Sequence, residues 1–250
     1  SAAQVTLANG KQARARLLVA ADSRFSPLRK MLGIDAAMLD FKRTCIVCRM
    51  KISKPHDDTA YECFLGSRTL AILPLNRKHC SIVITVDTAD TAGVTACAAA
   101  AFARQVEKDI GGKLGKMTLV SERFSYPLVA TYADRFYDRR FALMGDAAVG
   151  MHPVTAHGFN FGLRGAHTLA GAIGEGMGQG LDIADSEILR RYNDAHRRAT
   201  WVIYQGTNLL VKLYTDTRTP AKAARAALLR LGNAVTPLHR LITRQLTEAV

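Results

Sequence analysis

A short apolar run, Phe141-Ala142-Leu143-Met144, stops at Gly145-Asp146, and a helical pattern begins one loop later near Gly158. Four apolar residues ahead of a glycine favour a strand over a helix segment. Strand, loop and helix in that order are a unit of an α/β sheet. An acidic side chain just past the strand's carboxyl end lies where open α/β sheets bind ligands. Such a carboxylate accepts hydrogen bonds from sugar or ribityl hydroxyls, and Ala147 and Ala148 leave room for a chain to pass close by. The helix start at Gly158-Phe159-Asn160 presents free backbone N–H groups carrying roughly half a positive charge, which favours an anion or a developing negative charge. Taken singly, each residue fits a plain strand–loop–helix connection, because Asp after Gly is common in turns. The combination points to a ligand site. Further along the helix, Phe159, Leu163, Ala166, Ala170 and Ile173 are spaced three or four apart, which predicts one buried stripe. Gly162, Gly165 and Gly171 would admit a close neighbour.

The flanking chain supplies the rest of an α/β fold. Val5-Thr6-Leu7 alternates, Asn9-Gly10 signals a two-residue hairpin turn, and residues 14–19 resume the extended pattern. Ser26 and Pro27 read as the N-cap and first residue of a short helix that Gly33 ends. Strands are expected over 41–52, 60–65, 69–75 and 80–86, a helix over 91–110 and an extended stretch over 117–132. Beyond the glycines of 174–180 the pattern is helical: 185–215, 220–231 and 237 to the end.

Composition narrows the class. The longest uncharged stretch, 147–163, is broken by a proline and glycines and falls short of the roughly 18–20 apolar residues a spanning helix needs. Five scattered cysteines argue against a disulfide scaffold and for a reducing compartment. Cys45-x-x-Cys48 lies on an expected strand, where residues three apart face opposite sides, so no metal site is expected. The net charge is +13, and from Glu187 onward eleven Lys or Arg face four Asp or Glu. Arg190, Arg191, Arg197 and Arg198 share one helix with Trp201, Ile203, Tyr204, Leu209 and Leu210. That is either a solvated face on a core helix or a basic amphipathic surface suited to an anionic membrane. No reader motif accompanies the charge, so nucleic acid ranks below both.

The segment GDAAVGMHPVTAHGFNFGL, residues 145–163, resembles the second FAD-binding motif of the aromatic-ring flavin monooxygenases of p-hydroxybenzoate hydroxylase type. His152-Pro153 followed by Gly158-Phe159-Asn160-Phe161-Gly162 is similar to the signature of the ubiquinone-biosynthesis hydroxylases (the UbiH, UbiF and UbiM types), with the UbiM-type branch nearest in wording. Leu18-Val19-Ala20-Ala21-Asp22-Ser23, running on to Arg29, resembles the stretch these enzymes use near the FAD pyrophosphate and the nicotinamide cofactor. The resemblance implies an α/β fold: a partial FAD-binding domain with an inserted β-sheet substrate domain and C-terminal helices. On it, 1–35 and 134–180 belong to the FAD domain, 36–133 to the substrate domain and 181–250 to the helical region.

It also implies roles. Asp146 holds a hydroxyl of the FAD ribityl chain, flanked by Gly145 and Ala147, and the backbone of Gly158, Phe159 and Asn160 meets the flavin's pyrimidine edge. Asp22 and Arg29 lie on the pyrophosphate side, while His152 and Pro153 border the substrate. The implied reaction hydroxylates an electron-rich phenol or quinol ring of a ubiquinone precursor through a flavin hydroperoxide, with NAD(P)H as electron donor and O₂ as co-substrate. The flavin carries the hard chemistry, so no side chain is assigned as catalytic. A direct acid–base role for His152 or His157 ranks below loop shaping. The implied setting is cytoplasmic, with peripheral contact at the inner face of the membrane and a place in a quinone-biosynthesis complex.

The chain departs from the pattern in places. Ala20 and Ser23 stand where glycine is usual, so a left-handed backbone there costs more. Ala156-His157 replaces Gly-Gln, Gly165 replaces an Asp, and Val149 stands where many relatives have His. No strand–Gly-x-Gly-x-x-Gly–helix unit is present, so the expectation is a truncated hydroxylase impaired in FAD binding. Two other readings stay open: a non-catalytic scaffold of a quinone-biosynthesis complex, and a related flavin reductase or halogenase. The lone Trp201 argues against the halogenase, whose motif needs two tryptophans.

Overall fold

A computed structural model describes residues 2–152 and 157–215. Pro153 and the helices expected over 220–231 and from 237 onward lie outside the described residues, as does the side chain of His157. The chain divides into two units, Ser1–Leu39 with Val129–Val250, and Asp40–Leu128.

Strands β1 (Ala3–Thr6) and β2 (Gln12–Ala15) form the expected hairpin. Its loop has three residues, not two: the Leu7 N–H donates to the Lys11 carbonyl at 2.8 Å and Gly10 takes φ +79°. A left-handed glycine closing a three-residue loop matches the twist of the strands. The extended stretch over 14–19 divides, because β3 (Leu18–Ala20) leaves the hairpin for another sheet. Helix α1 (Pro27–Met31) starts as its sequence predicts, with Pro27 in its first turn and Ser26 Oγ accepting from the Arg29 N–H at 3.0 Å. Gly33 follows it at φ +60°.

The second unit is an antiparallel sheet backed by helices. Strand β4 (Ala36–Ile52) leads into it, followed by β5 (Tyr61–Phe64), β6 (Thr69–Pro74) and β7 (His79–Asp87). Within it β4, β7, β6 and β5 are neighbours in that order. Alternation decides the buried face: Cys80, Ile82, Ile84 and Val86 point inward while their neighbours stay partly exposed. Cys45 and Cys48 are both buried, but only Cys48 joins this core. Burial pushes the Cys48 and Cys80 thiols up to about 11, so neither is a ready thiolate.

The expected helix over 91–110 is two helices, α2 (Thr91–Ala96) and α3 (Ala99–Asp109), parted by extended backbone at Cys97 and Ala98. Arg123 donates to the carbonyl of Val94 at 2.9 Å, satisfying an acceptor that a continuous helix would have used internally. Phe102, Ala103 and Val106 of α3 pack into the sheet core. Strand β8 (Met117–Leu119) then pairs with the end of β4.

Strand β9 (Phe124–Ala133) leads back to the first unit. There β10 (Tyr137–Asp138) and β11 (Phe141–Leu143) join β3 in the order β10-β11-β3, with β11 and β3 parallel. Strand β12 (Val149–Gly150), helix α4 (His157–Gly178) and helix α5 (Ser186–Thr215) complete it. The buried face of α4 is Phe161, Gly165, Leu169, Ala172 and Gly176. The stripe expected from hydropathy is therefore displaced: Phe159 is 76% exposed and Leu163 48%. Glycines decide the matter, because α5 approaches α4 where side chains are missing. A Cβ on Gly165 would stand 3.0 Å from Nε2 of the buried His196, and one on Gly176 would overlap Ile188.

Candidate functional site

Parallel pairing of β3 with β11 brings two turns to one sheet edge. Leu143 registers with Ala20, and the Met144 N–H donates to the Ala20 carbonyl at 2.8 Å. The Asp22 turn and the Gly145–Ala147 turn, far apart in sequence, therefore leave the same carboxyl edge side by side. Such an edge is where open α/β sheets bind ligands.

Each turn is built by its own side chains. The Asp22 carboxylate accepts from Ser26 Oγ at 2.6 Å and from the Leu28 N–H at 3.2 Å, so it caps α1 beside Ser26. Ser23 adopts φ +80°, the left-handed conformation that a serine holds at a cost. Gly145 supplies the corresponding kink at φ +59° in the other turn. Arg29 joins the two: its guanidinium, 2% exposed as a residue, donates to the carbonyls of Ala147 at 2.8 Å and Arg24 at 3.0 Å. Burial lowers its pKa and the nearby Asp22 charge raises it.

Asp146 lies between this clamp and α4. Its Oδ2 accepts from Arg24 Nη2 at 2.6 Å, while Arg24 Nη1 donates to the Val129 carbonyl at 2.9 Å. Its Oδ1 carries no hydrogen bond among the described residues and lies 4.0 Å from the point a Cβ on Gly158 would occupy. Gly162, one turn on, has its missing side chain 3.8 Å from the Cα of Gly145. The first turns of α4 thus lie beside the Gly145–Asp146 turn. The first turn of α4 contains no acidic residue, and Phe159 and Asn160 there are exposed.

Among the described residues, the arrangement offers a carboxylate oxygen open to a donor, beside a glycine-bearing helix start. That set of groups fits a ligand with both a hydroxyl group and an electron-rich or anionic edge, as a flavin nucleotide has.

Most of the residues singled out in the sequence meet here: Asp22, Arg29, Gly145, Asp146, Ala147 and Gly158 converge, with Phe159 and Asn160 beside them. His152 is half-buried after β12. Asp22 and Arg29 enter as builders of the turns, their polar atoms engaged with the protein itself. Sequence reasoning misses Arg24: a basic residue in a turn has no signature, and its partner is 122 positions away.

The basic cluster on α5 is also different from its appearance in sequence. Arg190 and Arg191 both pair with Glu187, and Arg197 turns inward onto the carbonyls of Ala133 and Asp134 and over the Tyr132 and Phe136 rings. At the amino end of β11 a groove of about 540 Å³ is lined by equal numbers of acids and arginines. Asp182 there, hydrogen-bonded by the Ala184 N–H and by Arg140, is held down at about 2.

Residues 2–207 match the family described as FAD binding domain. The chain belongs to that family. The chain is 50% identical over 245 residues to a ubiquinone hydroxylase, UbiM, of Neisseria meningitidis, covering 98% of this chain and 53% of the relative. It is 36% identical to a ubiquinone hydroxylase, UbiL, of Rhodospirillum rubrum, covering 96% and 56% respectively. The chain thus spans about half the length of the curated relatives it matches. Among solved structures, OxyS anhydrotetracycline hydroxylase from Streptomyces rimosus superposes with a TM-score of 0.71 at 20% identity, over 97% of this chain and 48% of that one. The chain therefore shares its fold with that hydroxylase over nearly its whole length. Among the described residues no helix is long and apolar enough to cross a membrane.

Proposed function

We propose that the whole protein is an FAD-dependent monooxygenase that hydroxylates an aromatic ring of a ubiquinone precursor, a polyprenyl phenol or quinol. NAD(P)H is its electron donor and O₂ its co-substrate. The names of the two relatives above support the substrate class. The observation that carries the reading is Oδ1 of Asp146, unengaged among the described residues and facing Gly158 at the start of α4.

In this reading Asp146 accepts a hydrogen bond from a ribityl hydroxyl, and the amides of Phe159 and Asn160 face the pyrimidine edge of the ring. Gly145, Ala147 and Gly158 leave room for the cofactor. Asp22 and Arg29 shape the turn on the pyrophosphate side, and His152 and Pro153 border the substrate. Residues 1–35 and 134–180 serve the cofactor and 36–133 the ring substrate. When bound, reduced flavin activates O₂ for transfer of one oxygen atom to the ring. The protein's own part is to orient the two rings, exclude water and stabilise negative charge with helix-start dipoles. Contact with a membrane surface, and with partner enzymes of quinone biosynthesis, is assigned to residues 181–250.

The test is purification of the whole protein, followed by NAD(P)H-dependent turnover of a polyprenyl phenol under ¹⁸O₂. Bound flavin and one ¹⁸O atom in the product are expected. A protein free of flavin, or a product without label, would sink the reading.

A further inference from the structure

Neither the sequence pattern nor the capping geometry accounts for the task of Arg24 at this site. Its placement is elaborate. The left-handed Ser23 turns the chain so that residue 24 faces the second turn, and Arg29 holds the Arg24 carbonyl at 3.0 Å. Thr131 Oγ1 reaches the same carbonyl at 3.5 Å. Gly150 makes the passage possible: a Cβ there would stand 3.1 Å from Arg24 Cβ and 3.6 Å from Asp146 Cγ. The guanidinium then meets Asp146 Oδ2 at 2.6 Å, with side-chain exposures of 23% and 32%. The pair is partly exposed, but its arginine is anchored at a second point, the Val129 carbonyl.

The carboxylate has an alternative partner. Oδ1 already lies 4.0 Å from where a Cβ on Gly158 would stand, and the N–H groups of a helix start draw a nearby carboxylate to cap them. If Asp146 swung fully onto α4, it would occupy the donors that a ligand needs and lose its own open oxygen.

We propose that Arg24 is a positioning residue that holds Asp146 back from the amino end of α4. It thereby keeps both the Oδ1 acceptor and the α4 amides open to the flavin. The inference rests on the functional reading above, and it adds a residue that acts on the cofactor only through Asp146.

A double-mutant cycle on flavin affinity tests it, with the whole protein stripped of flavin and titrated with FAD. Arg24→Met should weaken FAD binding by about tenfold, the scale of one charge-assisted hydrogen bond. In an Asp146→Asn background the same change should alter affinity less than about twofold, because the residue it acts through is already gone. Arg24→Lys keeps the charge at Asp146 but lacks the fork that also reaches Val129, and should recover affinity to within about threefold of wild type. Equal losses in both backgrounds, no loss from Arg24→Met, or no rescue by Arg24→Lys would each overturn the proposal while leaving the flavin reading intact. A wild-type protein that fails to bind FAD would overturn both. Should Arg24→Met not fold, the cycle run with Arg24→Lys and Arg24→Gln distinguishes the same outcomes.

Discussion

Arg29 Nη1 donates to the Ala147 carbonyl at 2.8 Å, tying the helix after β3 to the turn after β11 across 118 residues of sequence. Its other arm holds the Arg24 carbonyl, so a single buried cation fastens both turns of the site.

Arg29→Met should therefore destabilise the protein by about 2–4 kcal/mol, since it leaves two carbonyl groups without their charged donor. Arg29→Lys should recover only part of this, because an ammonium cannot reach both carbonyls in the geometry of the fork. Urea unfolding of the two variants checks the order; equal stability of Arg29→Met and wild type would remove the clamp.

Asp146→Ala should deplete bound flavin while leaving unfolding within about 1 kcal/mol of wild type, as its ion pair is partly exposed. Gly158→Val should lower flavin retention as well, because its side chain would grow toward Asp146 Oδ1. Flavin absorbance per mole of purified protein is the measurement. Full flavin content in Asp146→Ala would withdraw Asp146 from the site.

His196 governs an acid-side loss of stability. Burial first, and the Arg164 charge second, lower its pKa from 6.5 to about 4 in the folded protein. Its Nδ1 is without a hydrogen bond among the described residues, and its ring stacks on Tyr192 at 5.7 Å. Between those pH values the unfolded chain binds the extra proton, so the contribution is complete above about pH 6.5 and declines as pH falls toward 4, by up to about 3 kcal/mol. Unfolding free energies measured across this window should flatten in His196→Leu. An unchanged slope would refute the assignment.

Gly165→Ala should destabilise by roughly 1–3 kcal/mol even though alanine is the better helix former, because the added methyl meets the His196 ring. That ring has little freedom to retreat, being packed against Tyr192 and Phe136. A thermal melt checks this. Gly171→Ala is the control, since a Cβ there meets nothing within 4 Å, and it should be neutral or stabilising.

Local rules were enough for much of this protein. Ser26-Pro27 capped its helix, Gly145-Asp146 ended its strand, and alternation in 79–87 chose the buried face of β7, because each rests on neighbouring residues alone. Motif resemblance supplied the family. Tertiary contact decided the rest. The hydropathy of α4 pointed to Phe159 and Leu163, but helix–helix packing followed glycines, which carry no hydrophobic signal and act by what they omit. At the break between α2 and α3 the Val94 carbonyl is taken up by Arg123, 29 residues further along the chain. The pairing of Arg24 with Asp146 required the parallel register of β3 and β11. An electrostatic partnership between distant segments exists only once the sheet has placed their turns side by side, and no local pattern encodes it.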